Sequence, residues 1–165
     1  MFMNMNTEPH RPIGDLVPDW TPPGTPSGEI LSGQYAHLEL LSAEKHAALL
    51  YRCFDGHDSI WDYMADGPYS SASQYHRWVR DNAGLSDPHF YAIRNLATDH
   101  WEGVASYLRI APESGSIEVG SISYSPALQR TRAATEAMYL MMKWAFEAGY
   151  RRYEWKCNAL NAPSR

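Results

Sequence analysis

The stretch Ser116-Ile117-Glu118-Val119-Gly120-Ser121-Ile122-Ser123-Tyr124-Ser125-Pro126-Ala127-Leu128-Gln129-Arg130-Thr131-Arg132-Ala133-Ala134-Thr135-Glu136-Ala137 joins two periodicities. As far as Tyr124 it reads as a strand. From Ala134 the residues Ala137, Met138, Met141, Trp144, Ala145 and Ala148 recur at helical spacing, and Gly149 stands at the stop. A strand that turns through a short loop into a helix leaves the first helical N–H groups unpaired, at the positive end of the helix dipole. Such an end suits a diphosphate. Arg130 and Arg132 add two cations there, and the small Ala133 and Ala134 let a bulky ligand approach the backbone. A capped helix with solvated arginines fits the same residues, so the two readings stand side by side at this point.

Working outward, Phe90 to Arg94 and Trp101 to Ile110 are further strand-like runs, separated by short polar turns. Such links predict an antiparallel meander ending in Ser116 to Tyr124. Beyond the helix, Tyr150 to Cys157 returns to period two and predicts a strand with Cys157 on its apolar face, as a buried small hydrophobe. Upstream, Gln34 to Leu41 predicts a strand, and Ser42 caps a helix over 43–54. A loop broken by Gly56, Gly67 and Pro68 follows, then a helix over 73–83 stopped by Gly84. The order is β-α-α-β-β-β-α-β, a mixed α/β fold with a mainly antiparallel central sheet flanked by helices. The first 33 residues hold six of the eleven prolines and four of the glycines, so they cannot form regular ladders. They read as an extended arm in solvent, with Trp20, Leu16 and Val17 as the residues able to dock it.

At 165 residues, one domain with a substantial core carries the function. The longest apolar stretch, around Ala137 to Phe146, is interrupted by Lys143 and falls short of the roughly 20 residues a membrane helix needs. The N-terminus lacks the pattern of a secretory signal, and Cys53 and Cys157 make no disulfide framework, so a cytoplasmic location is expected. A formal charge of -5 argues against a nucleic-acid partner and favours cationic substrates such as amines. Neither a triphosphate loop nor a dinucleotide fingerprint is present. The seven histidines, at 10, 37, 46, 57, 76, 89 and 100, show no pair at metal-ligating spacing, so no metal is expected. Asp55-Gly-His-Asp58 is too short for a calcium loop and reads as a turn.

The element order and the loop Gln129-x-x-Arg132-x-Ala134 resemble the GNAT acetyltransferases, specifically the RimJ/RimL-like branch. The resemblance runs from about Gly33 to Arg165. It is carried also by Ile117-Glu118-Val119-Gly120 before the loop, Thr135-Glu136-Ala137 on the helix, and Asn161-Ala162-Pro163-Ser164 after the next strand. The family fold is a sheet whose central strands splay, and its co-substrate is acetyl-CoA. By resemblance, the pyrophosphate lies on the N–H groups from Arg130 through Thr131, Arg132 and Ala133 to Ala134, with Gln129 at the loop's start. The pantetheine arm pairs with Ser121, Ile122 and Ser123, while Asn161 and Ser164 meet the coenzyme from the other side. Trp61, Tyr63 and Tyr69 fall in the region that in this family lies over the acceptor. The family's usual loop has Gly where this chain has Arg132. The family also continues past Asn-x-x-Ser into a helix and two more strands, so residues 34–165 read as an acetyltransferase-like domain truncated before them. An edge left open in that way invites a homodimer.

The activity implied is transfer of an acetyl group to a primary amine, either a protein N-terminus or a small molecule, by direct attack on the thioester. An α-amino group with pKa near 8 costs about 1.4 kcal/mol to deprotonate at pH 7, and a lysine near 10.4 about 4.6 kcal/mol. Glu118 is the leading candidate for a base, directly or through water. A carboxylate paired with Arg109 is the structural alternative at that position. Glu136, one turn into the long helix, reads as structural and Glu154 as a poorer base. The rival function is a non-catalytic acyl-CoA-binding or interaction module on the same fold.

Overall fold

A computed structural model of the chain describes residues 11–165; His10 and the residues before it lie outside them. The sheet has six strands in sequential order: β1 (Leu31–Ser32), β2 (Ala36–Leu40), β3 (His89–Asn95), β4 (His100–Ala111), β5 (Ser116–Tyr124) and β6 (Arg152–Trp155). All neighbours run antiparallel except β5 and β6, which are parallel. That pair needs a crossover, and α3 (Arg132–Glu147) supplies it.

Alternation along the strands divides the core into two layers. Tyr91, Ile93, Tyr107, Ile117 and Val119 face α3, against Ala137, Met141 and Ala145. Phe90, Ala92 and Val104 face the other way, onto α1 (Ala48–Phe54) and α2 (Ala72–Asn82). Ser42 caps as its sequence predicts, accepting from Lys45 N, but the first turn, Ala43–Ala47, is a π-helix that runs into α1. His46 in that turn is fully buried. Ser42 N–H donates to its Nδ1 at 2.9 Å, so the ring proton sits on Nε2, which donates to Glu39 at 3.1 Å. Burial lowers the His46 pKa more than the Glu39 carboxylate raises it.

Two contacts lock α3 to the sheet. The buried Tyr107 hydroxyl donates to the Met141 carbonyl at 2.6 Å. Glu136, on the first turns of α3, accepts the N–H groups of Gln34 at 2.9 Å, Tyr35, and Ala36 at 2.8 Å, closing the start of β2 onto the helix. Desolvation pushes the Glu136 pKa up, but these N–H bonds outweigh it and the net shift is downward. The carboxylate occupies the space a side chain at Gly33 would need, so any larger residue there would push Glu136 off its three donors.

Three expectations need correction. The arm does enter a ladder at its end, where Leu31–Ser32 pairs with Leu38 and His37 of β2 and Leu31 is buried in the core. Nor does the described part of the arm stay in solvent from Trp20 onward: the Trp20 indole donates to the Gly149 carbonyl at 3.1 Å beneath the Arg151 guanidinium, Tyr150 donates to Gly24 at 3.0 Å, and Pro26 is buried. Leu16 and Val17 remain exposed. Cys157 is exposed rather than buried, because β6 ends at Trp155 and the chain has left the sheet.

Candidate active site

The β5–β6 ladder runs from Ser116↔Arg152 to Val119↔Trp155 and stops, while β5 continues to Tyr124. The cause lies on the other side of β5. Val104 pairs with Ser123 and Ser106 with Gly120, so one β4 residue faces two on β5, Ser121 and Ile122. Ser121 takes the left-handed conformation, φ +49°, that such a bulge requires. Bulging turns the end of β5 away from β6, and the two strands fork at their carboxyl ends. Parallel strands commonly offer a ligand crevice at that end.

The fork opens into a cleft of about 440 Å³. Ile122, Tyr124 and Gln129 form one wall, and Trp155, Asn161, Pro163 and Ser164 the opposite one. Ser59, Ile60, Asp62, Tyr63 and Met64, from the loop between α1 and α2, close it over. The Tyr63 hydroxyl donates to the Leu160 carbonyl at 3.3 Å, tying this loop to the far wall, and the Trp155 indole donates to Ser164 Oγ at 3.1 Å.

The cleft reaches Gln129, in the loop just before α3. Thr131 caps that helix: its Oγ1 accepts from Ala134 N at 3.1 Å. Thr131 N–H itself is bonded to the Leu128 carbonyl and Gln129 N–H to that of Ser125. Among the described residues the N–H groups of Arg130, Arg132 and Ala133 have no backbone or side-chain acceptor, and Arg130 is held at φ +60°. These are the orphan donors that an anion satisfies. Arg132 stands where a glycine was expected. Its guanidinium lies over the Tyr35 ring, 5.5 Å from the centroid, on the side of α3 where Tyr35, Arg130, Thr131 and Tyr139 enclose a second hollow.

Glu118 is buried at the crotch of the fork, one residue before the ladder ends. Both its oxygens are taken by Arg109, through Nε at 2.7 Å and Nη2 at 3.0 Å. Thus the pair with Arg109, the alternative left open by sequence, is formed, and Glu118 is not part of the cleft lining. Asp87 supports this arrangement by accepting the N–H groups of Arg109 and Ile110 at 3.0 and 2.9 Å, which holds a second bulge in β4 with Arg109 at φ +47°. Glu154 pairs with Arg152 at 3.2 Å.

Of the three aromatic residues assigned to the acceptor region, Tyr63 lines the cleft and the other two turn away from it. Trp61 is buried against Phe54, Tyr69 and Tyr75, and Tyr69 packs edge-on to both Trp61 and Tyr75. The loop doubles back at Gly67, φ +84°, so closely that a side chain there would strike the Trp61 ring. Sequence reasoning missed Ser59, Ile60, Asp62, Met64, Tyr124, Trp155 and Pro163 as cleft residues. Period two did place Trp155 on a strand face, and that was the available signal for it.

An acyltransferase architecture is therefore on hand, with a forked parallel pair, a donor-rich helix end and a cleft between. The chain belongs to the acetyltransferase (GNAT) domain family, which it matches over residues 37–165. A GCN5-related N-acetyltransferase from Brucella melitensis is 35% identical with TM-score 0.87, the match covering 90% of this chain and 69% of that one. A probable GNAT-family acetyltransferase from Chromobacterium violaceum is 36% identical with TM-score 0.85, covering 96% and 80%. A Salmonella typhimurium acetyl transferase that modifies the N-terminal serine of a ribosomal subunit protein shares the fold at 20% identity and TM-score 0.68, covering 82% and 79%. No curated protein sequence matches the chain. Among the described residues no helix is long and apolar enough to cross a membrane, and no group of three or more His, Cys, Asp or Glu is placed to hold a metal.

Proposed function

We propose that this chain transfers the acetyl group of acetyl-CoA to a primary amine by direct attack. The carrying observation is the parting of β5 from β6 beyond Val119↔Trp155, with a cleft at the parted ends that reaches Gln129 in the loop before α3. In this reading the diphosphate rests on the N–H groups of Arg130, Arg132 and Ala133, with the Arg130 guanidinium beside it. The pantetheine arm follows Ser121, Ile122 and Ser123 as an added strand, and Asn161 and Ser164 meet it from the opposite wall. The placement of Arg132 on Tyr35 supports the fit, since it keeps the larger side chain off the backbone donors.

The chemistry needs no enzyme-bound intermediate. The neutral amine nitrogen attacks the thioester carbonyl carbon, a C–N bond forms, the C–S bond breaks, and the leaving thiolate takes up the proton the nitrogen sheds. An unpaired strand N–H beside the carbonyl steadies the charge that develops on its oxygen. An α-amine becomes neutral at a cost of about 1.4 kcal/mol at pH 7 and reacts unaided; a lysine-like amine needs a proton acceptor. Glu118 is our candidate for that second case, and it acts only if one bond to Arg109 opens.

Calorimetry with acetyl-CoA, followed by thiol release over a panel of amines, tests the reading. Binding together with release on at least one amine supports it. Binding with no release on any amine points instead to a non-catalytic acyl-CoA-binding module. Glu118→Gln is expected to slow lysine-like acceptors and spare α-amines.

A further inference from the structure

We infer that a second ligand site lies outside the cleft and takes a small carboxylate with an apolar body, held between Arg52 and Arg94. The inference is independent of acetyl transfer, since no residue of this hollow lines the cleft. Local order builds it. Leu49, Arg52 and Cys53, spaced i, i+3 and i+4, share one face of α1. Arg94 follows Phe90 and Ala92 in the alternation of β3 and is paired directly across the strands with Trp101 of β4. Helix and sheet together enclose a hollow of about 360 Å³, within the range of small-molecule pockets.

Two guanidiniums meet there against one carboxylate. Asp99, exposed on the turn between β3 and β4, pairs with Arg94 through Nη2. The Arg94 Nε–H is covered by protein and has no acceptor, so much of that guanidinium's donor capacity is unspent. Arg52 donates only to the Ala48 carbonyl of its own helix, through Nε at 3.3 Å, and has no ion pair among the described residues. The hollow is thus net positive in a chain whose net charge is -5. Like charges brought together repel, and an anion between them offsets that cost.

A second observation is that the walls are fixed without a ligand. The buried His46 ring packs against the Trp101 indole at 4.4 Å, and the Arg94 guanidinium lies 6.0 Å from the centroid of the same indole. Cys53 Sγ donates to the Trp101 carbonyl at 3.4 Å. Leu49 adds an exposed apolar side chain to the lining. Apolar surface beside paired guanidiniums matches a carboxylate on an aryl or branched alkyl body, and gives a bare phosphate nothing for its remaining side. Cys53 is a reporter here and not a nucleophile: burial raises its thiol pKa, Glu102 adds to the rise, and Arg52 offsets only part of it.

The test uses the Cys157→Ser chain, whose one remaining thiol is Cys53, and follows its modification by methyl methanethiosulfonate, a small uncharged reagent. Benzoate is the probe, with benzamide and inorganic phosphate as controls. Saturating benzoate should slow modification about tenfold or more, while the controls at equal concentration should change the rate by less than about twofold. Arg52→Met and Arg94→Met should each raise the benzoate concentration for half-protection about tenfold. Asp99→Asn should lower it about threefold, because the carboxylate that competes for Arg94 is gone. Asn also tolerates the left-handed backbone at that position, φ +63°. Arg52 is exposed on its helix, so Arg52→Met keeps the fold whatever Arg94→Met does. Modification unaffected by benzoate, equal protection by benzamide or phosphate, or a half-protection point unmoved by Arg52→Met overturns the inference.

Discussion

Replacing Glu136 with Ala should loosen the joint between β2 and α3. Three backbone N–H groups, those of Gln34, Tyr35 and Ala36, lose a charged acceptor at once. Hydrogen bonds to a charged group contribute about 1.5 to 3 kcal/mol each, but only Ala36 is fully buried, and water replaces the acceptor for the exposed Gln34. Discounting on that ground leaves a total of about 2 to 3 kcal/mol. For a chain of this size that is a fall in melting temperature of roughly 4 to 12 °C. Glu136→Gln retains an acceptor without the charge and should lose about half as much. The pH dependence has a definite sign. The folded pKa lies below the ordinary value of 4.5, so the contribution is complete above about pH 4.5 and disappears as pH falls through the folded value. The natural chain and Glu136→Ala should therefore converge in acid. The assay is thermal unfolding by circular dichroism at neutral and acidic pH. A melting temperature for Glu136→Ala within a degree of the natural chain at pH 7 would refute the reasoning.

Two further perturbations probe buried charge. Because His46 is kept neutral by burial, its folded pKa lies below 6.5; its stabilisation is complete above that pH and is lost as pH falls through the lowered value. The unfolding free energy from urea titrations should fall below pH 6.5 by at most about 1.4 kcal/mol per pH unit, and His46→Gln should flatten that slope. Arg109→Met strands the buried Glu118 carboxylate and should cost about 3 kcal/mol in urea unfolding, whereas the double change Arg109→Met with Glu118→Leu should recover most of it.

Much of this architecture is legible in the amino-acid order. The α3 stripe Ala137, Met141 and Ala145 is buried as its spacing predicts, and β3, β4 and β5 begin and end within a residue or two of their alternating runs. Helical and strand periods are local, so they survive in the chain without knowledge of the partners. The fork does not. Ser121 becomes left-handed because β4 offers one residue against two, a mismatch in cross-strand register that neither strand's own alternation records. Trp61 and Tyr69 illustrate the same limit: an aromatic residue in a loop serves a pocket or a core according to how the loop folds back, and Gly67 decides it here. Trp20 lies in a Pro-rich arm with no pattern of its own and finds its hydrogen-bond partner, Gly149, 129 residues away.

Hydrogen–deuterium exchange with and without acetyl-CoA tests most directly whether the forked strands grip the donor. The account expects added protection in peptides covering Gly120 to Tyr124 and Arg130 to Ala133, with little change in β2 and β3. Protection absent from both segments while acetyl-CoA is bound would place the donor elsewhere and contradict it.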